Sequence, residues 1–134
     1  MSFFSSIFNG NEIDWSENIL DSADQFKELI EESYSKPQLI FKHSTRCSIS
    51  IYILKDFISN NVEYKSNIDW WYLDILKYRS ISNLIADNFG LIHQSPQLII
   101  IIDGVVSNHA SHEKIKNINL SDYWKFNFLY LKLN

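Results

Sequence analysis

The chain has 134 residues, 46% apolar and 21% charged, which places it with globular proteins and excludes a disordered or low-complexity class. A formal charge of -4 and the lack of any lysine or arginine run exclude an electrostatic footprint for nucleic acid. One cysteine rules out an intramolecular disulfide and any zinc site built on several thiolates, which fits a reducing compartment.

The opening MSFFSSIFNG is apolar without a basic flank and too short for a signal-peptide core, and no stretch reaches membrane-spanning length, so a cytoplasmic protein is expected. Ile13 and Trp15 suggest a short edge strand. Ser22-Ala-Asp-Gln25 has capping-box spacing, and Phe26, Leu29 and Ile30 follow at helical intervals. A helix is therefore predicted over 22–34, stopping before Pro37. Residues 38–42 (QLIFK) read as a buried strand.

Lys42 to Ser50 (KHSTRCSIS) holds Cys47 between that strand and a segment of clear helical periodicity. Ile49, Ile51, Ile53, Leu54, Phe57 and Ile58 fall on one arc, with Tyr52, Lys55, Asp56 and Ser59 opposite. Cys47 and Ser48 are thus expected to begin a helix that Asn60-Asn61 ends. Backbone N–H groups and the helix dipole at such a start favour the anionic form of a thiol, which is the reactive form. Arg46 and Lys42 add cationic neighbours, and Thr45, Ser48 and Ser50 offer hydroxyls to the sulfur or to the helix start.

Residues 69–75 (DWWYLDI) read as a second buried strand with Trp70 and Trp71 on opposite faces, Asp69 and Asp74 being strand-end groups. Ser80 is expected to cap a helix with Ile81, Leu84, Ile85 and Phe89 inward, closed by Gly90. Pro96 then leads into 97–102, and Asp103-Gly104 joins it to 105–110 as a two-residue hairpin. Residues 112–118 suggest a short helix, and Tyr123 to Leu133, within the aromatic segment 119–134, a terminal one. His93, His109 and His112 are scattered and advertise no metal site with Cys47.

Alternating helices and strands imply an α/β fold with a parallel pair, helices on both faces and antiparallel edge strands from the closing hairpin. That order, with a cysteine after the first central strand and a proline opening the hairpin, resembles the thioredoxin fold. Within it, KHSTRCSIS, residues 72–82 (YLDILKYRSIS) and Ser95-Pro96-Gln97 resemble the monothiol bacilliredoxin family of the YtxJ type, over roughly residues 20–115. The expected unit is one thioredoxin-like domain over 1–134, with its core at about 20–118 and an aromatic C-terminal segment.

The resemblance implies that Cys47 is the redox thiol, that Ser50 stands where a dithiol motif has its second cysteine, and that Pro96 is a cis-proline facing the thiol with Ser95 ahead of it. Thr45, Arg46, Ser48 and Ser50 become thiolate-stabilising groups, and Lys42, His43, Ser95 and Pro96 substrate contacts. Ser48 departs from the proline that many thioredoxin-like motifs carry after the nucleophile; serine keeps a backbone donor that proline lacks. The implied activity is removal of bacillithiol, or another small thiol, from protein mixed disulfides. The small thiol serves as co-substrate with no bound cofactor or metal, and the chain is expected as a monomer or weak dimer. An iron–sulfur carrier using Cys47 and a non-catalytic thioredoxin-like interaction module stand as alternatives; fold likeness alone does not separate them.

Overall fold

The computed structural model describes residues 18–123. The expected strand at Ile13 and Trp15 and the aromatic segment from Trp124 onward lie outside these residues.

Helix α1 (Ala23–Glu32) starts where Ser22 Oγ accepts the Gln25 N–H at 3.2 Å. The reciprocal bond of the capping box shifts by one residue, because Gln25 Oε1 accepts from Asp21 N–H at 2.8 Å. Strand β1 (Gln38–His43) follows, then helix α2 (Ser48–Asn61), strand β2 (Asp69–Asp74), helix α3 (Arg79–Phe89) and the hairpin of β3 (Gln97–Ile102) and β4 (Val105–Ser111). A 3-10 segment over His112–Asn117 replaces the short helix expected there.

The four strands lie in the order β2-β1-β3-β4, with β1 parallel to β2 and both other pairings antiparallel. The mixed sheet of a thioredoxin-like fold is thus present, with one correction: β3 is an inner strand, not an edge. Its sequence QLIIII explains this, since a strand covered on both faces needs apolar side chains at successive positions. Among the described residues β4 is the edge strand of the hairpin, and all of its side chains are half-buried or exposed. Asp103 (φ 53°) and Gly104 (φ 78°) form the turn between them, where two successive left-handed residues match the strand twist. On the far side, Asn18–Leu20 runs along β2: Leu20 N–H donates to Tyr72 O at 2.8 Å and Tyr72 N–H to Asn18 O at 3.0 Å. Nothing in the sequence pattern announced this extra pairing.

Strand alternation divides the core in two. Leu39, Phe41, Trp70, Tyr72, Leu98 and Ile100 face α2 and the 3-10 segment, meeting Ile53, Leu54, Phe57, Ile58 and Ile115. On the opposite face, Ile40, Leu73, Ile99 and Ile101 meet Phe26 and Leu29 of α1 and Ile81 and Ile85 of α3. Trp70 and Trp71 fall on opposite faces as their spacing requires.

Two helix faces differ from expectation. In α2 the buried stripe is Ser50, Ile53, Leu54, Phe57, Ile58 and Asn61, whereas Ile49 is 63% exposed. The first turn stands at the end of the sheet, and the inward place there is taken by Ser50, which is hydrogen-bonded beneath the helix. In α3 the N-cap is Tyr78 and not Ser80. Asp74 Oδ1 accepts from Leu76 and Lys77 N–H, and Tyr78 N–H donates to Asp74 O, so the chain turns into the helix earlier. Leu84 is exposed, and Ser82 takes an inward position beside Ile81 and Ile85. Gly90 closes α3 at φ 65°, as its place after Phe89 predicted.

Candidate functional site at the head of α2

Strand register brings the groups of interest to one end of the sheet. His43, the last residue of β1, pairs with Asp74, the last of β2. Lys42 pairs with Gln97 and Gln97 with Ser111, so one step further places Pro96 beside His43 and His112 beside Pro96. His112 N–H donates to Pro96 O at 3.0 Å, and Ile75 N–H to His43 O at 3.1 Å, which ties this end together.

Cys47 sits just above it as the N-cap of α2, with extended backbone (φ -107°, ψ 114°). Its N–H donates to Ser44 O at 3.2 Å and its carbonyl accepts from Ile51 N–H at 3.1 Å, closing the first helical turn. The residue is half-buried and its thiol is free. The first-turn N–H groups that an α-helix leaves without intrahelical partners therefore open toward the position after Cys47. Thr45 is half-buried, Arg46 and Ser48 are exposed, and among the described residues no carboxylate forms an ion pair with Arg46.

Ser50 lies on the inner side of that turn. It is fully buried, and its Oγ is 2.6 Å from His43 Nδ1, with Ser44 N–H donating to the same oxygen at 3.4 Å. Ser50 Oγ thus links the backbone of the strand-to-helix loop to the His43 ring. Its hydroxyl thus serves His43, where the sequence reading offered it to the cysteine sulfur. Burial pushes the His43 pKa down to about 4, the nearby Asp74 carboxylate opposing this, so the ring is neutral at pH 7. Its ring packs on Tyr72 at 5.6 Å between centroids. Burial, with Asp74 adding to it, pushes the Tyr72 phenol well above its ordinary range.

Lys42 is on the other face. Alternation along β1 turns it away from His43 and α2, and it is fully buried against α3, its Nζ donating to Ser82 O at 3.2 Å. It is therefore not an exposed cationic neighbour of the thiol. Desolvation pushes its pKa down to about 8. Ser82 Oγ is 2.8 Å from His93 Nδ1, and Gln97 Nε2 donates to Ile92 O at 3.1 Å. Burial, then the charges of Lys42 and Arg79, lowers the His93 pKa. Lys42, Ser82, His93 and Gln97 thus brace the segment leading to Pro96 from beneath. This polar cluster was not read from the sequence; the period-two alternation of β1 held the signal for Lys42's side.

The Ser95–Pro96 peptide is cis. Pro96 is buried, and Ser95 is half-buried with a buried Oγ that makes no hydrogen bond among the described residues. Around this end stand exposed apolar side chains: Ile49 on α2, Leu76 after β2 and, 79% exposed, Ile92 before the proline. Among the described residues no group of three or more His, Cys, Asp or Glu side chains is placed to hold a metal ion.

A lone thiol at the N-cap of a helix that follows an inner strand, with a cis-proline at the same sheet end, defines a thioredoxin-fold redox protein of single-cysteine type. A family model of the monothiol bacilliredoxin BrxC matches residues 18–120, and the chain belongs to that family. Among solved structures it is similar to a candidate oxidoreductase with a thioredoxin fold, at 31% identity and TM-score 0.65, covering 81% of this chain and 90% of the other. It is also similar to the thioredoxin of Malassezia sympodialis (15% identity, TM-score 0.63, 82% and 89% covered). The thioredoxin of Fasciola hepatica (14% identity, TM-score 0.62, 82% and 98% covered) has the same fold. Among the described residues no helix is long and apolar enough to cross a membrane.

Proposed function

We propose that this chain is a monothiol thiol-disulfide oxidoreductase that removes bacillithiol from protein mixed disulfides through Cys47. The observation that carries the reading is a half-buried free cysteine at the N-cap of α2 with a serine three residues on, in a chain of the monothiol bacilliredoxin family.

The Cys47 thiolate attacks the small-thiol sulfur of the mixed disulfide. A new S–S bond forms to Cys47, the old one breaks, and the target protein leaves as a thiolate that takes a proton from water. Cys47 then carries the small thiol until an external thiol attacks in turn and leaves with it as a new disulfide. Ser50 has no sulfur to resolve the intermediate internally, so the cycle depends on that external thiol. Thr45, Arg46, Ser48 and the first-turn N–H groups surround the thiolate, and Arg46 meets a carboxylate of the small thiol. The Ser95 backbone, ahead of cis-Pro96, offers strand-like hydrogen bonds to the substrate, with Ile49, Leu76 and Ile92 as the apolar surround for the target. His43 and Lys42 act from below, His43 by holding Ser50 and Lys42 by holding Ser82 under the segment that ends at Pro96. The chain acts in the cytoplasm as a monomer or weak dimer.

The test is intact mass after exposure to oxidised bacillithiol, glutathione and coenzyme A in parallel, with Cys47→Ser as control. One adduct on Cys47, formed fastest with bacillithiol and lost on adding excess small thiol, is expected. No adduct with any of them would leave Cys47 a packing residue and remove the enzymatic reading.

A further inference from the structure

Two described residues other than glycine have positive φ, Asp103 at 53° and His112 at 56°. Asp103 is accounted for by the two-residue hairpin turn. His112 is not in a hairpin: it follows β4, and its left-handed backbone lets its N–H reach Pro96 O. Glycine adopts this conformation freely, whereas a residue with a β-carbon is disfavoured in it, and such outliers concentrate where ligands are held. A disfavoured side chain is thus kept at a place where the backbone alone would be better served by glycine.

The placement of His112 is fixed from two sides. Register puts it two strands from His43, roughly 10 Å across the sheet end. The segment it begins runs down α2, with Ile115 buried in the core and Lys116 Nζ 5.4 Å from the Tyr52 ring centroid, one turn beyond the helix start. The exposed His112 therefore stands at the sheet end that carries Pro96 and the start of α2. Arg46 stands on the strand-to-helix loop beside the cysteine.

We infer that His112 is a specificity-determining residue that donates a hydrogen bond to an anionic group, a carboxylate or phosphate, of the small thiol during exchange at Cys47. This rests on the exchange chemistry proposed above. In the step concerned, the Cys47 thiolate attacks one sulfur of a disulfide, forms the new S–S bond and releases the other half as a thiolate. His112 takes no part in bond making. It binds the half that stays on Cys47, and an imidazole has an N–H donor for this in either protonation state.

The experiment measures adduct formation on Cys47 in the full chain by time-resolved intact mass, using oxidised glutathione as the anionic probe and 2-hydroxyethyl disulfide as the neutral one. Wild type, His112→Gly and His112→Asn are compared, with Cys47→Ser as blank and thermal melts in parallel. The anionic-to-neutral rate ratio is expected to fall about fivefold in His112→Gly, the worth of roughly one hydrogen bond. His112→Asn, which tolerates the same backbone and still donates, recovers at least part of it. The melting midpoint of His112→Gly is not lowered, since glycine relieves the backbone. An unchanged ratio in His112→Gly, or a parallel fall of both rates, overturns the inference while leaving the proposed function standing. A wild type that reacts with neither disulfide overturns the inference, and one that also fails with oxidised bacillithiol removes the proposed function as well.

Discussion

His43 Nδ1 lies 2.6 Å from Ser50 Oγ, joining the last residue of β1 to the first turn of α2 beneath Cys47. Both side chains are fully buried, so each is the other's replacement for water. Ser50→Ala leaves Nδ1 unpaired in the core, which costs about 1–3 kcal/mol. A melt of Ser50→Ala at pH 7 is expected to show that loss. A variant as stable as wild type would mean that the pair does not anchor the helix start.

The same burial makes stability depend on acid. The folded His43 pKa is depressed to about 4 from 6.5, so between these values the unfolded chain binds a proton that the folded chain refuses. Stability is full above pH 6.5 and falls as pH drops toward 4, by at most about 3 kcal/mol from this group. Denaturant melts across pH 4–7 should show that slope, and His43→Asn should flatten it while being less stable at pH 7. Equal slopes in the two proteins would assign the acid sensitivity elsewhere.

Lys42 imposes a second window. Its folded pKa is depressed to about 8 from 10.5, so stability rises with pH across that interval as the folded chain sheds a proton the unfolded one keeps. Below pH 8 the buried ammonium is a net cost, because among the described residues it meets a carbonyl of Ser82 and no carboxylate. Lys42→Met is expected to be about 1–2 kcal/mol more stable than wild type at pH 7, with the advantage shrinking toward pH 10. A destabilised Lys42→Met would show that the Ser82 contact outweighs the cost of burying the charge.

The parts of this fold that were legible in the sequence are those set by local chemistry. QLIFK and QLIIII are apolar at successive positions, Asp103-Gly104 suits only a tight turn, and Gly90 ends a helix whose last inward residue is Phe89. Cys47 at a helix start followed from the break between the strand pattern and the helical one. What the sequence did not show depends on rotation and on partners distant in the chain. An apolar arc predicts Ile49 inward, yet at the sheet end Ser50 is the residue turned to His43. Lys42 looked like a neighbour of Cys47 by number, but strand alternation sends it to the opposite face, where Ser82, 40 residues away, receives it. Asn18–Leu20 pairs with β2 through backbone bonds that no side-chain pattern encodes. The left-handed backbone of His112 is equally invisible in a stretch reading Ala-Ser-His-Glu.

The strongest check on single-thiol chemistry is to restore the missing sulfur. Position 50 lies three residues after Cys47, on the inner side of the same helical turn, with His43 Nδ1 within reach of its side chain. In Ser50→Cys the new thiol is placed beside a neutral imidazole that can take its proton, so it is well set to attack the disulfide carried by Cys47. That step would release the small thiol and join Cys47 to the introduced sulfur, which is two-electron dithiol behaviour. Wild type treated with oxidised small thiol is expected to hold its adduct until an external thiol is added. Ser50→Cys is expected to lose the adduct on its own and to end lighter than the reduced chain by two hydrogens in intact mass. A stable adduct persisting on Ser50→Cys would show that position 50 is not the resolving position, and that the dependence of the wild type on an external thiol has another origin.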